Sequence, residues 1–327
     1  MLAVHNDTYI NMGKRKIIMS LLQTIKKIVL LAPVRCGRTY YTVNIKQQSD
    51  RIRVTFTPTD DFLMVDPRRE NEEFMPDHVH LFEKWQHIGL AIGSLRYFLK
   101  ENNIAYAWSN SAEKAEILMD RVEQNIYLGV HKQEKLKHAH RTFNADLPVD
   151  ADTEHELTGI IEEFLKTHKG YNITVTDPAV RKKLSALAIY WDSLGDVNGC
   201  IRPPQMETTP MMISVPPEEY SIHYWFDMGD LYAKLGLTAL ARGYQVAYCN
   251  AFNLFDPRVA RLEDVLKVKF GTYTVQDFIP RPWICIGKAL DPSKPYNWVG
   301  VPNRYEDDIM ITCILTTKEY VTVEGDV

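Results

Sequence analysis

The sequence predicts an α+β fold in which antiparallel sheet is flanked by helices, arranged as two similar halves on either side of a polar linker near residue 150. Three observations carry this. Residues 85 to 110 slide onto 225 to 250 without a gap, placing Trp85 on Trp225, Gly89 on Gly229, Leu95 on Leu235, Ala107 on Ala247 and Asn110 on Asn250. In both stretches an apolar, helix-like run leaves through a turn, Glu101-Asn102-Asn103 or Ala241-Arg242-Gly243, into a short strand. Outside these stretches, helices and strands do not alternate as a parallel βαβ series would. Two further correspondences are expected: Ile126-Tyr127-Leu128-Gly129 with Ile284-Cys285-Ile286-Gly287, and Tyr41 to Ile45 with Met211 to Val215. The halves are read as residues 1–145 and 150–327, forming a single-chain pseudo-dimer.

The elements follow from local pattern. Ile17, Leu21, Leu22, Ile25, Ile28 and Val29 recur at helical spacing and give a first helix ending at Ala32-Pro33. Tyr40 to Ile45 and Ile52 to Phe56 alternate as a hairpin of half-buried strands, joined by a turn at residues 47–50. Residues 58–80 read as a long polar loop, 81–101 and 111–123 as helices, and 125–130 as a strand. The run 131–141 is basic without aromatic interleaving, which points to a solvated connector rather than a nucleic-acid surface. Asp152-Thr153-Glu154-His155-Glu156 opens an amphipathic helix with acidic residues in its first turn, and Thr176-Asp177-Pro178 caps another over about 178–194. Then come a strand at 211–215, a long helix over about 223–242, a strand at 245–248, a helix near 257–269, a strand at 283–286, a polar loop at 291–308, and strands at 309–315 and 320–323.

Composition limits the function classes. The 327 residues are 45% hydrophobic and 24% charged with a net charge of -4, as in a globular protein that does not advertise a polyanion partner. Five scattered cysteines without a C-x-x-C pair argue against a disulfide framework and a zinc site, and a reducing cytoplasm is the expected home. Lys26 and Lys27 break the apolar stretch near residue 17, so no spanning helix is expected there. There is no G-x-S-x-G elbow, no G-x-x-x-x-G-K-[ST] loop and no H-E-x-x-H pair. The histidines of 78–87 and 138–140 lack converging acidic partners, and no metal site is expected.

An ordered set of segments resembles a known family. These are Asp177-Pro178-Ala179-Val180-Arg181, then Thr209-Pro210-Met211-Met212-Ile213, then Asp227-Met228-Gly229 leading through Leu237-Thr238-Ala239-Leu240-Ala241-Arg242-Gly243, and Arg281-Pro282-Trp283-Ile284-Cys285-Ile286-Gly287-Lys288. Together they are similar to the second half of a nitroreductase-type flavoprotein, with its D-x-G helix, L-x-A-x-x-x-G exit and final I-G strand. Leu31 to Tyr41 is similar to that family's A-P-S-x-x-N-x-Q-P stretch, with Gly37 and Thr39 where the family has Asn and Gln. The family's R-R-S-x-R element has only Lys14-Arg15-Lys16 as a counterpart.

The resemblance implies FMN as cofactor, NAD(P)H as electron donor, and a small conjugated acceptor such as a nitroaromatic or a quinone. It also implies either a monomeric pseudo-dimer or a homodimer. Phosphate recognition favours planar, permanently charged donors, so Arg35 and Arg38 are the first candidates, with Lys288 and Arg304 as late basic residues. Arg242-Gly243 stands where the family brings a glycine turn near the flavin, and Asn250 is a candidate for a ring carbonyl. Trp85, Tyr224 and Trp225 could stack on a flavin, although their periodic setting favours the core. The alternative is a nitroreductase-like protein that has lost its cofactor and binds another protein.

Overall fold

The computed structural model describes residues 21–32, 41–59, 77–122, 126–132, 144, 147–175, 179, 211–215, 222–250, 282–288 and 321–324. Helix α1, Leu21–Leu31, turns Leu21, Leu22, Thr24, Ile25, Ile28 and Val29 inward, the stripe its spacing predicts. Strands β1 (Tyr41–Gln48) and β2 (Arg51–Pro58) form the expected antiparallel hairpin. Each alternates buried with exposed residues, and Ser49 takes the positive φ of 24° that the tight turn needs. Helix α2, Asp77–Glu101, begins inside the segment expected to be loop. Strands β3 (Tyr106–Asn110) and β4 (Ala115–Asp120) follow.

Beyond the linker, α3 (Ala151–Thr167) is capped by Asp150, whose side chain accepts from the Thr153 N–H. Asp152 and Glu154 sit in its first turn and Lys166 in its last, each matched to the helix dipole. Strands β5 (Asn172–Val175) and β6 (Met211–Val215) lead to helix α4 (Ile222–Ala241), and then to β7 (Gln245–Asn250) and β8 (Pro282–Gly287). The last described strand is β9, Val321–Glu324. Expected elements near 257–269 and 309–315 lie outside the described residues, as does the expected helix near 178–194 apart from Ala179, which is helical.

The strands make two sheets, ordered β3-β4-β2-β1-β9 and β5-β6-β8-β7. Among the described strands every pairing is antiparallel except β9 beside β1. Among the described elements, helix, two strands, helix, two strands is the order from α1 to β4 and again from α3 to β8, with residues 176–210 between β5 and β6 described only at Ala179, which is helical. The sheet orders β3-β4-β2-β1 and β7-β8-β6-β5 correspond position by position. By that order Met211–Val215 corresponds to β2 and not to Tyr41–Ile45. The counterpart of β8 is β4 and not Ile126–Gly129.

Two expected elements differ. The sequence predicts helix over residues 111–123, but Ala115, Ile117 and Met119 are buried at every second position and pair with β2 and β3, which makes a strand. Residues 126–130 carry no strand; Gly129, with φ of 48°, starts a 3-10 turn through Lys132.

α2 and α4 cross at the centre, and glycine makes the crossing possible. A Cβ on Gly89 would lie 2.1 Å from the Phe226 carbonyl oxygen, and one on Gly229 would lie 2.1 Å from the Gln86 carbonyl oxygen. The contacts are reciprocal at the same shift of 140 residues (89 to 229, 86 to 226). Both helices also end alike. Ile104 N–H donates to Leu99 O and Asn103 N–H to Lys100 O; Tyr244 N–H donates to Ala239 O and Gly243 N–H to Leu240 O. These are Schellman caps, with φ of 53° at Asn103 and 77° at Gly243. Trp85, Tyr224 and Trp225 are fully buried about the crossing, so they belong to the core.

Candidate functional site

Polar groups cluster in three places along this helix pair. The first is an ion pair across the crossing: Arg96 of α2 donates to Asp230 Oδ2 of α4 at 2.5 Å. The Arg96 guanidinium also lies 4.6 Å from the centre of the Trp108 ring, and Trp108 stacks on Phe226 at 5.4 Å. Burial pushes the Asp230 carboxyl above the ordinary range, and the Arg96 charge opposes that shift.

One turn earlier on α4, Asp227 accepts from the Tyr171 hydroxyl at 2.7 Å, and His168 Nε2 stands 3.9 Å from the same carboxylate oxygen. Burial raises Asp227 above the ordinary carboxylate value, against the Tyr171 hydroxyl and the charges of His168, His223 and Arg96, which favour ionisation. Burial, and then Asp227, push the Tyr171 phenol well above its ordinary value, so it remains a donor. The His168 ring stacks on Phe164 at 3.9 Å, and Tyr171 stacks on Tyr224 at 5.4 Å. This cluster fastens the end of α3 to the start of α4.

The third cluster surrounds the α4 exit turn and contains three of the residues the resemblance singled out. Arg242 is paired with Glu156 of α3 at 2.7 Å. Lys288 Nζ donates to the Gly243 carbonyl at 2.8 Å and sits 4.0 Å from the centre of the Tyr244 ring. The Tyr244 hydroxyl donates to Asp150 Oδ2 and accepts from the Asp150 N–H at 3.0 Å. Hydrogen bonds from Tyr244, and then from Thr153, lower the Asp150 carboxyl to about 2. The structure brings Arg242, Gly243 and Lys288 together, and both side-chain cations have partners within this cluster. The backbone of Asn250 ends β7, opposite Pro282 of β8. Arg35, Arg38 and Arg304 lie outside the described residues.

These contacts bear on FMN. A phosphate seat needs cationic donors free to turn toward an anion. As placed, Arg242 holds a half-exposed carboxylate and Lys288 an exposed backbone carbonyl, contacts weak enough for either cation to exchange for an anion.

Sequence reasoning passed over Arg96, Trp108, Asp230, Tyr171 and His168, and used Asp227 only as the first residue of the D-x-G segment. A signal was available: Asp227 and Asp230 are three apart, on one face of a helix otherwise rich in buried apolar residues. It also assigned His131 to a solvated connector. His131 is fully buried, edge-on to Tyr97 and Phe98 of α2.

Among the described residues no group of histidine, cysteine, aspartate or glutamate could hold a metal ion, and no helix is long and apolar enough to cross a membrane. No family profile and no curated protein matches the chain. Among solved structures, the chain is similar to an FMN-dependent nitroreductase from Clostridium difficile at 15% identity and a TM-score of 0.35, over 55% of this chain and 96% of the other.

Proposed function

We propose that this chain is a flavin-dependent oxidoreductase built as a single-chain pseudo-dimer, its halves at 1–145 and 150–327 standing where two like subunits would stand. The observation that carries this reading is the placement of the motif segments. Asp227-Met228-Gly229 sets the α4 contact with α2, the L-x-A-x-x-x-G run ends on the Gly243 cap, and the I-G pair closes β8. The repeated element order and the paired Schellman caps support two like halves.

FMN, when bound, would accept hydride from NAD(P)H and pass it to a small conjugated acceptor of nitroaromatic or quinone type. On this reading Arg35, Arg38 and Arg304 take the phosphate and Asn250 faces the ring. The Gly243 turn and Lys288 shape that end of the site, with Arg242 kept on Glu156. The test is the absorbance spectrum of the concentrated, freshly purified chain, repeated after FMN is added and the excess removed. A flavin spectrum that bleaches with NADH or NADPH supports the reading; a chain that stays colourless overturns it.

One observation favours a second reading, a nitroreductase-like protein without cofactor that binds another protein: the cations at 242 and 288 are engaged within the chain. A stable partner in pull-down together with a colourless chain would favour it.

A further inference from the structure

The α2–α4 crossing is reciprocal in backbone but not in charge. Gly89 meets the Phe226 carbonyl as Gly229 meets the Gln86 carbonyl, and Gly93 meets Ala233, its own counterpart at the same shift (93 to 233). The shift sends the contact of Arg96 with Asp230 to one between Leu90 and Gly236, since 230 becomes 90 and 96 becomes 236. One side of the crossing therefore carries a partly buried ion pair, and the related side carries none at those positions.

This asymmetry has a consequence for pairing. A crossing this symmetric in backbone could form between two copies of α2, or two copies of α4, from different chains. Two α2 helices in the same register would set each Arg96 against Leu90. Two α4 helices would set each Asp230 against Gly236 and bring two pairs of Asp227 and Asp230 together. Either arrangement leaves a partly buried charge without its partner, which is strongly unfavourable. Only α2 against α4 satisfies both.

We infer that the Arg96–Asp230 pair is a partner-specificity device: it directs α2 onto α4 and rejects like-with-like pairing between chains. Two features fit that role. The Arg96 guanidinium is held over the ring of Trp108, which follows α2 in the same stretch and itself stacks on Phe226 of α4. Asp230 lies one residue from Gly229, at the point of closest backbone approach, where a mispaired charge has least room to turn to water. The inference rests on the reading that the halves are alike. That reading fails separately if an experimental structure does not superpose 85–110 on 225–250.

The test uses the full chain. One preparation carries Arg96→Asp and another carries Asp230→Arg, so each alone has like charges at the crossing. Refolded together, they are expected to form a one-to-one two-chain species that neither forms alone, read by light scattering after size exclusion. In it the α2 of each chain can meet a complementary α4. A chain carrying both exchanges should refold as the wild type does. The uncharged double variant, Arg96→Leu with Asp230→Leu, should raise the multi-chain fraction about tenfold at high refolding concentration. Absence of the mixed species, or its formation equally well by either chain alone, overturns the inference. So does an uncharged variant that assembles as the wild type does.

Discussion

Acid should loosen this protein through His131, and the effect can be worked from its surroundings. The ring is fully buried in the turn Gly129–Lys132, with ring centres 6.3 Å from Tyr97 and 6.0 Å from Phe98, and neither ring nitrogen has a hydrogen-bond partner among the described residues. Burial lowers its pKa from 6.5 to about 4. The unfolded chain therefore takes up a proton that the folded chain refuses. The stability at stake is fully present above the unfolded value of 6.5 and is lost as the pH falls toward 4. At pH 4.5 the loss from this one group is about 2 to 3 kcal/mol. Glu101 of α2 works the other way. Burial raises its carboxyl, so its share is present at low pH and fades as the pH rises through its folded value. Comparison with His131→Phe cancels that common background. The assay is urea unfolding of both chains at pH 7.5 and pH 4.5. His131→Phe should lose about 2 to 3 kcal/mol less than the wild type between the two pH values. Equal losses would refute the assignment of a buried neutral imidazole, whatever the variant does at neutral pH.

Other expectations are separate from it. Gly89→Ala and Gly229→Ala should each destabilise by about 3 kcal/mol or more, because the new Cβ would meet backbone and not a movable side chain; thermal unfolding of the two variants should give closely similar losses. At the paired caps the signs should oppose: Gly243→Ala should lose about 1 kcal/mol at φ of 77°, whereas Asn103→Gly at 53° should leave stability level or slightly higher, both read by urea midpoints. Tyr244→Phe removes the hydroxyl whose hydrogen bond does most to hold the Asp150 carboxyl low, so a carboxyl titration followed by NMR should show Asp150 moving up toward the ordinary value. An unmoved Asp150 would give the effect to Thr153 and the Arg242 charge.

What could be read from the sequence was whatever a single segment decides for itself. α1, the β1–β2 hairpin, the acidic opening of α3 and the run from α4 into β7 each carry their own period and stop signals, and the sequence places them within a few residues. β4 shows the opposite case. Ala115-Glu116-Ile117-Leu118-Met119-Asp120 is built largely of good helix formers, and its strand state comes from pairing with β2 and β3. The site divides along the same line. That Arg242 and Lys288 are basic was plain, but that Glu156 and the Gly243 carbonyl would hold them depends on α3 folding back against the α4 exit. His131 stands in a run rich in lysine and histidine, and nothing in its immediate neighbours foretells two aromatic rings from α2.

The match between the two stretches also means less at some positions than at others. Where α2 and α4 cross at a constant shift, each glycine faces the backbone beside the other, so both must be small for the crossing to exist at all. Gly89 on Gly229 is thus demanded by packing, whether or not the halves share an origin. The caps are a different matter, because Asn103 and Gly243 differ in residue yet make the same two hydrogen bonds at the same positive φ. The sheet order is also independent of the crossing, since a helix pair of this kind does not dictate that strands β3-β4-β2-β1 be matched by β7-β8-β6-β5. The weight of the two-halves proposal therefore falls on the caps and the strands, and on that proposal the charge asymmetry at Arg96 and Asp230 is a place where the halves differ.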